Sequence, residues 1–231
     1  MKAKTLICGA WLAALLCTPG ILSAQSPGTA VGGALPATIP IFPLPAATLF
    51  PNGSHLFYIF EPRYRAMVAD ALKGDRIIGM VMLQPGHEAE YDGRPPIFPV
   101  GCAGLITDYE ELPDGQYNIA LNGLVKFRVT AEDDSRPYRL ARVVAMPEEL
   151  DPQETITLAK ERQRLEDLLR VLSNRLGLEL PPAASDKQAV DVLSQYLPID
   201  PLSRQRLLEL DDPLARAIVL NALLEAIVKK Q

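Results

Sequence analysis

The hydrophobic periodicity of this chain changes once, near Pro147, and that change restricts the fold more than any other feature. From Thr38 to Met146 apolar residues come in short β-type runs: IPIF, HLFYIF, RIIGMVML, IFPVGCAGLITDY, QYNIALNG, LVKFRVT and YRLARVVAM. Turn signals separate them, and Pro113-Asp114-Gly115 is the clearest hairpin turn. About seven short strands imply a strongly curved sheet or a partly closed barrel.

After Pro147 the spacing becomes helical. Leu158, Leu165, Leu168, Leu169, Leu172 and Leu176 recur among charges, which predicts one long amphipathic helix over Pro152 to Leu176, stopped at Gly177. Ser185-Asp186-Lys187-Gln188 is a capping box for a helix running to about Leu197. Asp200-Pro201 and Asp212-Pro213 each place an N-cap before a Pro at the first helical position, so helices are expected over Pro201 to Leu210 and Pro213 to Lys229. The expectation is an α+β chain with a β-rich lobe over 38–147 and a helical-bundle lobe over 148–231.

One helix belongs to the first lobe. In YIFEPRYRAMVADALKG, Pro62 suits a first helical turn, Tyr64, Met67, Val68, Ala71 and Leu72 form a stripe, and Gly74 stops it. Glu61 stands four residues before Arg65, the favourable order for an i,i+4 pair. Arg63 and Arg65 are expected to point away from the stripe as a solvated basic edge.

Before the first strand the chain carries signs of export. The basic MKAK followed by the apolar TLICGAWLAALL, too short to span a bilayer, reads as a signal peptide over 1–24 cleaved after Ala24, a retained N-terminal anchor being the alternative, with a Pro/Gly-rich flexible leader over 25–37. The expected location is therefore periplasmic or secreted. Loss of Met1 to Ala24, which holds Lys2 and Lys4 and no acid, takes the formal charge from −5 to −7. An acidic chain is a poor phosphate-backbone binder, so no nucleic acid is expected. Cys102 alone would remain, and one cysteine cannot close an internal disulfide.

Catalytic groupings are sparse. His87 with Glu88 and Glu90 offers one nitrogen ligand in a polar loop, and His55 opens a strand pattern. Cys102 lies in an apolar run with no charged neighbour to activate it. Asp133-Asp134 and Asp211-Asp212 lack the further oxygens of a Ca²⁺ loop. No catalytic residue, metal or cofactor is assigned. Binding residues are sought instead among exposed aromatic and polar edges, and the candidates for contacting a polypeptide are Glu61, Arg63, Arg65, Tyr91, Phe98 and Tyr109.

IPIFPLPAATLFPN, then YIFEPRYRAMV, then FPVGCAGLITDYEELPDGQYNIALNGLVKFRV resembles the substrate-binding N-terminal domain of Lon proteases, in the form carried by standalone LON-domain proteins. YLPIDPLSRQRLLELDDPLARAIVLNALLEAI is similar to the helical segment that precedes the ATPase in that family, so the resemblance covers about Thr38 to Val228. It implies a PUA-like curved β lobe, a helical lobe behind it and recognition of unfolded or tagged polypeptides. The phosphate-cradling pattern G-x-x-x-x-G-K-[ST] is absent from the sequence given.

Three readings follow. The first is an exported, non-catalytic module that binds unfolded or specific polypeptides, as a chaperone-like holder or protease adaptor, without ATPase or protease activity. A scaffold for a specific folded envelope protein is its alternative. An unrecognised hydrolase and an RNA binder complete the set, to be told apart by turnover and by salt-dependent RNA affinity. No membrane span is expected after signal cleavage, and the oligomeric state is left open.

Overall fold

The computed structural model describes residues 35–91, 93–176 and 185–229, which all belong to one compact unit. The export signal, most of the leader and the stop at Gly177 lie outside the described residues. Among the described residues there are six strands and five α-helices: β1 Thr38–Leu44, β2 Ser54–Ile59, α1 Pro62–Lys73, β3 Ile77–Met82, β4 Val100–Glu111, β5 Tyr117–Asp133, β6 Arg139–Met146, α2 Pro152–Leu176, α3 Asp186–Tyr196, α4 Pro201–Glu209 and α5 Pro213–Lys229. The α+β reading holds, with one fewer strand than the runs suggested. QYNIALNG and LVKFRVT are a single strand, because Gly123 continues β5 instead of breaking it. A Cβ at Gly123 would stand 1.9 Å from the carbonyl oxygen of Phe50, so the glycine is there for close approach of the loop before β2.

The length of β5 determines the architecture. Its second half pairs with β6 on one side and with the first half of β4 on the other, and β4, β3, β1 and β6 complete a closed ring through the parallel pair β1–β3. Inside the ring lie Ile39, Ile41, Val81, Ala103, Phe127, Ala141 and Val143. The end of the leader is fixed to this ring, since Leu35 packs against it and the Ala37 carbonyl accepts a 2.9 Å bond from the Val143 N–H. The first half of β5, Tyr117 to Asn122, runs beyond the ring with the second half of β4 and takes β2 as its other neighbour. The hairpin joining β4 and β5 closes through Gly115, whose φ of +74° suits glycine.

A second, larger core lies outside the ring and joins the strands to the helices. Phe42, Phe50, Ile59, Tyr64, Met67, Val68, Ile106 and Ile119 of the β part pack with Leu158, Leu165, Val190, Leu193, Leu207, Leu220 and Leu224 of the helices. The expected helix starts are built as the sequence implies. Ser185 accepts from the Gln188 N–H, Asp200 from Ser203 and Asp212 from Ala215. At α2, Asp151 and Glu154 cap one another reciprocally, each carboxylate accepting the other's N–H.

The side chain of Lys126 is the least expected member of the core. It follows Val125 on β5, is fully buried, and meets Glu148 at 2.7 Å. It also donates to the Leu210 carbonyl. Arg216 of α5, likewise fully buried, pairs with Glu148 and, at 2.5 Å, with Asp191 of α3. Asn52, in the turn before β2, donates to the other Asp191 oxygen at 2.9 Å. Lys126, Arg216, Glu148 and Asp191 balance in formal charge, which is how a core tolerates them.

Candidate functional site

HLFYIF is apolar at every position after His55, which is more than a strand buried on one face needs. The structure shows where the excess goes. Ile59 is buried, and Phe57 packs toward the core with its ring 5.4 Å from that of Phe42. The alternate residues, Leu56 and Tyr58, point the other way and are 82% and 56% exposed. Phe60 continues the strip at 58% exposure, its ring centroid 6.0 Å from that of Tyr58.

This strip lies at the end of the sheet. Among the described residues β2 pairs only with β5, so its outer edge carries no strand. At Ser54 that edge is closed by Tyr196 of α3, whose hydroxyl accepts from the Ser54 N–H and donates to its carbonyl, at 3.2 and 3.0 Å. His55 is tied inward, its Nε2 2.7 Å from Gln195 and 3.1 Å from the Thr48 carbonyl, and burial lowers its pKa. The anchored strand start holds the strip in place.

Across the exposed face the register sets Leu56 opposite Ala120 and Ala120 opposite Asp108; one step along, Tyr58 faces Asn118 and Asn118 faces Glu110. Small Ala120 and Asn118 thus form a floor between an apolar wall on β2 and a carboxylate wall on β4. The hollow has a volume of about 530 Å³. A sheet face with exposed apolar residues beside an unpaired edge is suited to holding an extended polypeptide.

The six residues expected from sequence are distributed over several places. Tyr109 is 44% exposed and borders this hollow, with Arg76 5.8 Å from its ring. Glu61, Arg63 and Tyr91 form a separate cluster. Glu61 accepts from Arg63 Nε and from the Tyr91 hydroxyl, both at 2.9 Å, while the Arg63 guanidinium lies 4.6 and 4.9 Å from the Tyr64 and Tyr91 rings. The solvated basic edge is therefore corrected. Arg63 has a side chain only 20% exposed, and Glu61 takes Arg63 as its ion-pair partner in place of Arg65. Arg65 is half-buried against the Gly115 turn, and Phe98 is half-buried with its N–H bonded to the Met82 carbonyl.

The Arg63–Tyr91 cluster borders a cavity of about 250 Å³ that also meets Arg94 and Arg139. Two of its cations, Arg63 and Arg139, are already engaged by carboxylates. Arg139 makes two 2.7 Å bonds to Glu132 and one of 2.8 Å to the Pro95 carbonyl, so little is left for a ligand. Cys102 is fully buried, and burial pushes its thiol pKa up, which makes it an inert core residue. His87 lies 3.1 Å from Glu90 on a short exposed 3-10 turn, and no group of metal-ligating side chains occurs among the described residues. No described helix is long and apolar enough to cross a membrane.

Sequence reasoning missed Leu56, Tyr58 and Phe60. The signal available was the unbroken apolar run, whose second face has no use in a core.

Comparison with known proteins agrees with this architecture. Relatives include Lon protease of Trichlorobacter lovleyi, 26% identical over 82% of this chain and 24% of its own length, and Lon protease 2 of Myxococcus xanthus, 28% identical over 66% of this chain and 18% of its own. The chain thus spans about a quarter or less of these relatives. The crystal structure of a Lon N-terminal domain protein from Xanthomonas campestris matches with a TM-score of 0.56 at 24% identity, over 80% of this chain and 97% of that one. The N-terminal domain of a Mycobacterium avium complex Lon protease matches with a TM-score of 0.61 at 16% identity, over 81% and 98%. These two likenesses show the fold. The family model described as the ATP-dependent protease La (LON) substrate-binding domain matches residues 38–226, and the chain belongs to that family.

Proposed function

We propose that this protein is an exported, non-catalytic module that binds unfolded or extended polypeptides through the outer face of β2, β5 and β4, as a chaperone-like holder or as an adaptor to an envelope protease. One observation carries the reading: Leu56, Tyr58 and Phe60 form an exposed apolar strip on a strand with an unpaired edge. The description of the family as a substrate-binding domain supports a polypeptide as the ligand, because the substrates of a protease are polypeptides. The non-catalytic part is supported by the same match and by the burial of Cys102. Export rests on the basic and apolar composition of residues 1–24.

The test is titration of the purified protein against a fluorescent, permanently unfolded polypeptide, with the folded form of the same polypeptide and an RNA oligomer as controls. Saturable binding to the unfolded chain alone is expected. Binding only to a folded protein would favour a scaffold, and salt-dependent binding to RNA would favour a nucleic-acid reader. Fractionation of cells producing the full chain tests export, with the protein expected in the envelope fraction.

A further inference from the structure

We infer that the preferred occupant of the β2–β5–β4 face is a cationic amphipathic segment, one in which Lys or Arg alternates with large apolar residues. The inference rests on the polypeptide-binding reading and adds the chemistry of the ligand.

The two walls of the hollow differ in kind. Leu56 and Tyr58 rise from β2, whereas Asp108 and Glu110 rise from β4 on the same face, with β5 between them. Two strand spacings separate the walls, roughly 10 Å, enough for one extended backbone lying over Ala120 and Asn118. Side chains of an extended segment alternate in direction, so one set would meet the apolar wall and the other the carboxylates.

The acidic wall is uncompensated. Asp108 bonds the Tyr109 N–H, and Glu110 accepts from the Asn118 amide at 3.0 Å; among the described residues neither carboxylate has a cation within salt-bridge distance. Arg76 lies over Tyr109, 5.8 Å from its ring, and makes no salt bridge to either carboxylate among the described residues. Acidic side chains beside an exposed apolar strip repel acidic segments and attract basic ones, which selects the ligand by charge as the strip selects it by hydrophobicity.

Three short peptides identical in their apolar positions and carrying Lys, Gln or Glu at the alternating ones are titrated against the full chain. The Lys peptide is expected to bind about three- to tenfold more tightly than the Gln peptide, as two exposed ion pairs give, with the advantage shrinking as salt is raised. Asp108→Asn with Glu110→Gln should abolish the difference between the Lys and Gln peptides. Equal affinity for all three peptides, or preference for the Glu peptide, would overturn the charge inference and leave polypeptide binding standing. If none of the three binds, while the unfolded polypeptide also fails to bind, the underlying reading is overturned with it.

Discussion

Lys126 of β5 and Glu148, in the connection to α2, form an ion pair at 2.7 Å with side chains 0% and 2% exposed. Through Arg216 and Asp191 the pair reaches α5 and α3, and through Asn52 it reaches the turn before β2. The strand bearing the candidate site is thus fastened to the helical part by charges as well as by the apolar core.

Removing one member of such a network strands its partners in a dry interior. Glu148→Ala would leave Lys126 and part of Arg216 uncompensated, and a loss of about 3–5 kcal/mol is expected. Urea unfolding checks this. A loss below about 1 kcal/mol would show that the network is solvated and does not join the two parts.

Asp191 gives the network a pH signature. Burial, opposed by Arg216, pushes its carboxyl up to about 6. The folded protein therefore holds this proton to higher pH than the unfolded chain does. The resulting stability is fully present below about pH 4 and is lost as pH rises to about 6. Glu148 has the opposite sign. Burial works against its carboxylate, but Arg216 and Lys126 hold it below the usual range, so its contribution is present at neutral pH and lost in acid. Asp191→Asn is expected to remove the decline between about pH 4 and 6 and to leave the acid limb. Urea midpoints at a series of pH values read both limbs, and an unchanged decline in the variant would contradict the assignment.

Tyr64 secures α1 beneath the strip. Its side chain is 4% exposed and its ring meets that of Phe42 edge-on at 4.6 Å. Tyr64→Ala should cost about 3–5 kcal/mol in the same unfolding experiment, and a cost under about 1 would contradict the packing.

Helix boundaries were legible because their causes are local. Ser185, Asp200 and Asp212 cap within three residues of themselves, and Pro62 fixes its own backbone. The burial of Tyr64, Met67, Val68 and Ala71 followed from helical spacing. What depends on distant neighbours was not legible. The basic edge was expected in water because nothing near Arg63 in sequence, apart from Glu61, reveals that Tyr91 folds over it. Lys126 reads as a solvent position of an alternating strand until the helices cover that face. Leu56 and Tyr58 illustrate the converse, since an apolar run states that a residue is hydrophobic and not which face the fold will cover.

The most direct test compares the wild-type chain with Leu56→Ser/Tyr58→Ser in titrations against the fluorescent unfolded polypeptide, with thermal unfolding of both recorded alongside. Both side chains project from the core, so melting should be nearly unchanged. Saturable binding by the wild type, weakened at least about tenfold in the variant, is the predicted result. Equal affinity in the two proteins, or no saturable binding by either, would contradict the assignment of this face as the polypeptide site.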